Sequence, residues 1–288
     1  MQSSFIDVQG VRTRYLHEGA GEAVILLHGI GLSADCFIRN IDPLAERFSV
    51  YALDLLGHGF TDAVNFGTSV PQVVMAQHVV DFASRLGLTR YSLVGSSFGA
   101  LVAGLVYFSN RDQVDKLVIV GSGSLFHSAE QQKLTLGASL KNGREAMMGT
   151  TLEKCHRRIA NIVFDPACIP PEMLALQLTS YALPDRLSAY LAAITGSVEA
   201  MDDDNARVLS RLEDLRCPTL VIVGREDPRA DWKTHLDGTK RMPSARISIY
   251  ERCKHLPFLE HVNRFNREVG DFLKEATSQR KLATPWNA

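Results

Sequence analysis

Short apolar runs separated by helix-length segments constrain the fold of this chain more than any other feature. The runs are AVILLHG (23–29), FSVYALDL (48–55), YSLVGSS (91–97), KLVIVGSG (116–123), TLVIVG (219–224) and ARISIYE (245–251). Most of them are continuous rather than alternating, which is typical of central parallel strands whose two faces are both covered by helices. The segment 71–87 has the length of a helix and ends at Gly87, as helices often do. The alternation of strand and helix predicts an α/β fold with an open sheet.

One long interval interrupts this alternation. From Leu125 to Arg211 there is no convincing strand pattern, while helical patterns follow one another. An unstructured loop of that length would be implausible inside a domain. We therefore predict a helical cap at 125–211, inserted between two parts of an α/β core at 1–124 and 212–288.

Composition and charge exclude several classes of protein. The chain has 288 residues and a formal net charge of −1, which argues against nucleic acid or a membrane surface as a partner. Its five cysteines show no CxxC spacing, and the run Asp202–Asp204 has no second ligand cluster, so no disulfide framework and no metal site are predicted. Asp7, Arg12 and Arg14 interrupt any apolar leader, and no run is long enough for a transmembrane helix. These features predict a cytoplasmic protein.

The segment GSSFG at 95–99 matches the pattern GxSxG and has Ser97 at its centre. It follows a predicted buried strand and precedes FGALVAGLVYF (98–108), whose small residues allow a helix to pack closely. Such a strand, turn and helix form a nucleophile elbow, which exposes the serine hydroxyl beyond the carboxyl ends of the strands. We predict that Ser97 is a nucleophile; the alternative is a strand end that needs its glycines only to turn.

A serine nucleophile needs a base, and the base needs an acid that fixes its tautomer. His255 follows the last strand pattern, so a loop can carry it back over the sheet, whereas other histidines fit structural roles better. Those others stand in His-Gly pairs or within helical patterns, at His28, His58, His235 and His261. Among Glu226, Asp227 and Asp231, we favour Asp227, since it precedes Pro228 and suits the first turn of a helix.

A tetrahedral intermediate also needs hydrogen-bond donors for its oxyanion. One should be the backbone N–H of Phe98, at the start of the helix after Ser97. The other should be the backbone N–H of Ile30, in the loop after the run at 23–29.

Several motifs together resemble the α/β-hydrolase superfamily: HGIG (28–31), DLLGHGFTD (54–62), VGSSFGA (94–100), GREDP (224–228) and the C-terminal histidine. The chain order Ser97, Asp227, His255 is also that of α/β-hydrolases. The resemblance covers essentially the whole chain. It implies a mostly parallel eight-stranded sheet with helices on both faces, a catalytic triad at these three residues, and no cofactor.

Within that superfamily, GREDP and ERCKHLPFLEHVNRFNREVGDFL look most similar to the meta-cleavage product hydrolases. Those enzymes add water across a carbon–carbon bond in dienoates formed when bacteria open aromatic rings. The chain departs from their pattern at three positions. It has Ser96 in place of Asn before the nucleophile, Leu256 in place of Trp after the histidine, and Gln177 near the position of a cap arginine that grips the substrate carboxylate. Replacing a bidentate cation with a neutral amide is not conservative.

The candidate substrate pocket combines those three positions with apolar residues of the cap. Its members are Ser96, Met147, Met148, Phe164, Gln177 and Leu256. Met173, Leu183 and Tyr190 could also wall it, although such residues more often form the core of a cap.

These observations predict a cofactor-independent serine hydrolase. Its substrate would be a small molecule, namely an apolar or aromatic carboxylic ester, thioester or lactone. One alternative is carbon–carbon cleavage of a 2-hydroxy-6-oxo-dienoate, and another is a ligand-sensing protein on the same scaffold. Trp286 in the polar tail could pack against a second copy of the chain, which makes a homodimer a further hypothesis.

Overall fold

The fold centres on one eight-stranded sheet in the order β1-β2-β4-β3-β5-β6-β7-β8. The structure, a computed structural model, describes residues 1–275. The strands are β1 Gln2–Val8, β2 Val11–Glu18, β3 Ala23–Leu27, β4 Ser49–Leu53, β5 Tyr91–Ser96, β6 Val114–Val120, β7 Thr219–Gly224 and β8 Ala245–Tyr250. The predicted α/β fold with a mostly parallel eight-stranded sheet is confirmed.

Burial explains which strands the sequence revealed. Every residue of β3, β5 and β7 is buried, because helices cover both faces of the sheet there. The six strands from β4 to β8 in the sheet order, namely β4, β3, β5, β6, β7 and β8, pair in parallel with one another. β1 and β2 form an antiparallel hairpin at one edge, and β2 also pairs antiparallel with β4. Most residues of β1 are exposed, half-buried residues alternate with them, and only Val8 is buried, so the strand has no continuous apolar run.

Eleven α-helices surround and cap this sheet in the described chain. They are α1 Ile41–Ala45, α2 Pro71–Arg85, α3 Phe98–Ser109, α4 Gly123–Phe126, α5 Ala129–Met147, α6 Leu152–Ala160, α7 Pro171–Tyr181, α8 Arg186–Glu199, α9 Trp232–Lys240, α10 Pro257–Glu260 and α11 Val262–Lys274. α3 packs on β5 and β6, while α9 packs on β7 and β8. The predicted helix at 71–87 corresponds to α2.

The interval between β6 and β7 is helical throughout its regular structure, from α4 to α8 followed by short 3₁₀ turns. Polar side chains fasten these helices to backbone carbonyls of the core. The hydroxyl of Tyr181 donates to the carbonyl of Gly31 at 2.6 Å, and Arg186 Nη1 donates to the carbonyl of Thr61 at 3.0 Å. The helices therefore lie over the carboxyl end of β3. The division into a core at 1–124 and 212–288 and a cap at 125–211 stays a prediction.

Residues 1–275 contain no helix that is both long and apolar enough to cross a membrane. The same residues contain no cluster of three or more metal-ligating side chains. Trp286, on which the homodimer hypothesis depends, lies outside the described residues.

Candidate active site

Ser97 lies in a strained turn between β5 and α3. Its backbone has φ 54° and ψ −117°, a conformation that costs free energy for a residue other than glycine. Two hydrogen bonds hold the turn: the N–H of Ser97 donates to the carbonyl of Val120 at 2.8 Å, and the Ser122 hydroxyl donates to the carbonyl of Ser97 at 2.7 Å. The strand, turn and helix context predicted for an elbow is present.

The two glycines of the GxSxG pattern permit close backbone packing rather than an unusual φ. A β-carbon added at Gly95 would lie 2.5 Å from the Cα of Ala100. One added at Gly99 would lie 2.5 Å from the carbonyl oxygen of His28. Real β-carbons do not make contacts this short, so any side chain at either position would push α3 away from the sheet.

His255 and Asp227 form a buried hydrogen-bonded pair. Asp227 follows Gly224, the last residue of β7, by three positions, and its Oδ2 lies 2.7 Å from His255 Nδ1. Its Oδ1 accepts the N–H of Arg229 at 2.8 Å, which fixes the carboxylate. The N–H of His255 donates to the carbonyl of Ile162 at 2.9 Å. Because Nδ1 faces the carboxylate, Nε2 is the ring nitrogen available to take a proton.

The two acids near Asp227 have structural partners instead. Glu226 accepts the N–H of Cys253 at 2.9 Å. Asp231 caps α9 by accepting the N–H of Thr234 at 3.0 Å. The choice of Asp227 among the three acids thus agrees with its contact to the imidazole.

One narrow cavity brings the candidate serine and histidine together. Its lining residues are Gly29, Ile30, Leu32, Ser96, Ser97, Arg158, Ile162, Arg229, His255 and Leu256. The cavity holds about one water molecule.

The loop after β3 passes directly over Ser97. A β-carbon added at Gly29 would lie 3.2 Å from the Cβ of Ser97. The His28 ring shapes this loop: its Nε2 accepts the N–H of Leu55 at 3.0 Å, so its Nδ1 donates to the carbonyl of Gly29 at 2.8 Å. Burial lowers the pKa of His28, which agrees with a neutral ring in this role.

The two predicted oxyanion donors belong to a residue of the Ser97 cavity and to the residue that follows Ser97. Ile30 lines the cavity, and Phe98 is the first residue of α3, where an N–H has no acceptor within the helix. Their roles stay predictions.

The motif DLLGHGFTD is a structural turn beside the site. Asp54 is fully buried and accepts the N–H of Ala34 at 2.7 Å and that of Phe60 at 2.8 Å. It also pairs with Arg14 at 3.3 Å. The carboxylate thereby joins β4, β2 and the loop after β3 on the side of the sheet that carries Ser97.

The six predicted pocket residues divide into three groups of two. Ser96 and Leu256 line the cavity. Met147 and Gln177 are buried away from it; Gln177 donates from Nε2 to the carbonyl of Gly31 at 3.4 Å.

The other two predicted pocket residues, Met148 and Phe164, are exposed in the structure. Met148 is 50% exposed and directly follows the last residue of α5. Phe164 is 40% exposed, and its ring lies 5.4 Å from the guanidinium of Arg252. The structure therefore places neither side chain on the cavity.

Sequence reasoning missed Arg158 and Arg229, both of which line the cavity. Arg229 offered one signal, since it stands two positions after Asp227. Arg158 offered none, since it follows Arg157 in a charged stretch and only the helix direction separates the two.

Comparison with known proteins identifies the family and agrees with the fold. Residues 24–268 match the model of the Alpha/beta hydrolase family. The chain is 31% identical over 285 residues to a 2-hydroxy-6-oxononadienedioate/2-hydroxy-6-oxononatrienedioate hydrolase of Cupriavidus pinatubonensis, covering 94% of this chain and 95% of the relative. It is 30% identical over 269 residues to the hydrolase of the same name from Paraburkholderia phymatum, covering 91% of each. A crystal structure of a variant of the meta-cleavage product hydrolase CumD superposes with a TM-score of 0.80 at 25% identity, covering 95% of this chain and 98% of that one.

Proposed function

Because the chain belongs to the alpha/beta hydrolase family, we propose that Ser97, His255 and Asp227 form a catalytic triad that cleaves a carbon–carbon bond in a 2-hydroxy-6-oxo-dienoate. The main support for the triad is the 2.7 Å hydrogen bond from His255 to Asp227. His255 lines the same cavity as Ser97. The substrate part is supported by relatives named for such dienoates over more than nine-tenths of this chain. The hydrolases reported above also favour an enzyme over the ligand-sensing alternative.

The proposed reaction begins when the Ser97 hydroxyl attacks the ketone carbon and His255 takes its proton. Asp227 orients the imidazole and stabilises its positive charge. The N–H groups of Phe98 and Ile30 stabilise the oxyanion of the tetrahedral intermediate. The attack requires the dienol to tautomerise first to its 2,6-dioxo form, in which the proton of the 2-hydroxyl has moved to the carbon bonded to the ketone. When the carbon–carbon bond then breaks, its electron pair is delocalised through the remaining double bond onto the 2-oxo group. The resulting dienolate takes the proton held by His255 and leaves as a 2-hydroxydienoate. Water finally hydrolyses the acyl-serine, which releases a carboxylic acid.

A second candidate is the hydrolysis of a carboxylic ester, thioester or lactone by the same triad. The departures at Ser96 and Leu256 favour it, because both residues line the cavity. The amide and indole that the carbon–carbon hydrolases usually carry there are replaced by a small hydroxyl and an aliphatic chain. An ester also needs less assistance, since an alkoxide leaves more readily than a carbanion.

Turnover of the two substrate types tests both candidates. The yellow ring-fission product 2-hydroxy-6-oxononadienedioate and a series of short 4-nitrophenyl esters should be assayed with the wild-type enzyme and with Ser97→Ala. We expect the dienoate to give the higher kcat/KM and Ser97→Ala to lower turnover by several orders of magnitude. Ser84→Ala, at an exposed position of α2, is the matched control and should retain activity.

Two results would reject parts of this proposal separately. Faster turnover of esters than of the dienoate would replace the carbon–carbon reaction by the second candidate. Full activity of Ser97→Ala, or failure of a fluorophosphonate probe to label Ser97, would reject the triad.

A further inference from the structure

The cavity at Ser97 has two positively charged walls that the triad does not use. Arg158 projects into it from α6, and Arg229 reaches it from the loop after β7. Both guanidinium groups therefore border the space in which His255 and Ser97 would act. Cations in that position constrain the charge of whatever binds there.

Arg158 is buried with an unused donor. Arg158 is only 7% exposed. Its Nη2 lies 3.3 Å from the carbonyl of Ile30 and 3.3 Å from the hydroxyl of Tyr190, while its Nη1 has no hydrogen-bond partner. The rings of Tyr181 and Tyr190 lie beside the guanidinium at 5.8 and 5.3 Å. A buried N–H without an acceptor is costly, and an anionic ligand would satisfy it.

Neither arginine has a carboxylate partner in the described chain, where no ion pair within 4.0 Å includes Arg158 or Arg229. Arg229 Nη1 makes one weak contact, to the Ser139 hydroxyl at 3.4 Å. Burial and the positive charge of Arg158 lower the pKa of Arg229. The nearby Asp227 carboxylate is already bound by His255 and by the Arg229 N–H. Two like charges in one partly desolvated wall are unfavourable until an anion lies between them.

Arg158 also borders a second, more open cleft between α5 and α6. That cleft is lined by Asn142, Glu145, Ala146, Lys154, Arg157, Arg158 and Asn161. Arg158 therefore lines both the inner cavity and this cleft, which also carries the charged side chains of Lys154, Arg157 and Glu145.

We propose that Arg158 and Arg229 form a carboxylate-binding subsite at the inner cavity, so that the enzyme prefers substrates with a free carboxylate on the part bound beside Ser97. The inference rests on the proposed hydrolytic function and specifies its substrate class. It also accounts for Gln177: the cap supplies its cation from α6, not from the position where the carbon–carbon hydrolases carry theirs.

Two matched esters test the subsite independently of carbon–carbon chemistry. The 4-nitrophenyl monoester of glutaric acid carries a carboxylate where 4-nitrophenyl pentanoate carries a methyl group. We expect Arg158→Gln to lower kcat/KM for the charged ester by about 30-fold or more, mainly through KM, because it removes one partner of a buried charge pair. The value for the neutral ester should stay within a few-fold. Arg229→Gln should act in the same direction.

Arg157→Gln is the control, because Arg157 is the exposed neighbour on α6 and pairs with Glu153. It should change neither ester. Arg158→Lys keeps the positive charge but cannot bind a carboxylate through two N–H groups of a planar guanidinium. It should restore part of the preference for the charged ester that Arg158→Gln loses. Equal loss for both esters in a folded Arg158→Gln enzyme, or no loss for either, would overturn the subsite.

Binding of glutarate to the wild-type protein and to Arg158→Gln, measured by calorimetry, decides the matter if neither ester is hydrolysed. Weaker binding to the variant supports the subsite even if the proposed reaction fails. Equal binding to both proteins, or no binding to the wild type, rejects it.

Discussion

At the residue scale, the role of a side chain near the candidate site depends on its hydrogen-bond partner more than on its residue type. Asp227 and Asp231 are both acids after β7, four positions apart, yet one faces an imidazole and the other a helix N-terminus. Substitution by asparagine should therefore lower activity at Asp227 and leave it unchanged at Asp231.

Asp227→Asn keeps the shape of the side chain but removes the charge that orients His255. We expect kcat to fall by roughly 10³–10⁴-fold with little change in folding. Asp231→Asn should retain activity, because asparagine is also a good helix cap. Steady-state kinetics on a hydrolysed ester would compare the two. Equal activity of both variants would show that Asp227 does not serve His255.

At this scale, sequence and structure agree best where chain order and strand ends define a position. Ser97 and Asp227 each follow a buried strand, so their placement beyond the sheet could be predicted. Arg158 could not, because one residue along a helix rotates a side chain by about 100°. Whether Arg157 or Arg158 enters the cavity depends on how α6 packs, and that is a tertiary contact.

At the scale of elements, α3 lies so close to the sheet that a glycine is required at the contact. We expect Gly99→Ala to lower the free energy of unfolding by about 1–3 kcal/mol or more, because the β-carbon would meet the backbone of His28. Gly137→Ala is the control: Gly137 lies in α5 with open space around it, so alanine should stabilise by about 0.5–1 kcal/mol. Urea unfolding of both variants measures the difference. A Gly99→Ala variant with an unchanged free energy of unfolding would contradict this close packing.

The elements that the sequence failed to reveal share a physical reason. The β1–β2 hairpin lies at an edge of the sheet and exposes much of its surface, so it lacks the continuous apolar runs of β3, β5 and β7. Met148 and Phe164 are apolar residues of the helical segment that remain exposed, so hydrophobicity alone could not assign them to a pocket. Periodicity predicts that a helix exists, while its rotation about its axis follows from packing.

At the scale of the whole molecule, buried histidines couple folding to pH. Burial lowers the pKa of His58 to about 3 and that of His78 and His235 to about 4, from an ordinary value near 6.5. Between pH 6.5 and about 4 these rings are neutral in the folded protein and protonated in the unfolded chain. The unfolded state therefore binds more protons, and stability is lost as the pH falls through this window.

Each such histidine should add a slope of about 1.4 kcal/mol per pH unit to the free energy of unfolding between pH 6 and 5. His78→Gln removes one of them and leaves an amide that can still contact the Thr13 hydroxyl, which lies 2.9 Å from His78 Nε2. Urea unfolding of wild type and variant at several pH values measures both slopes, and carboxylates contribute equally to each. The slope of the free energy of unfolding against pH should be smaller in the variant by the contribution of one histidine. Identical slopes would mean that His78 is protonated in the folded protein, because only a difference in proton binding between the two states produces the slope.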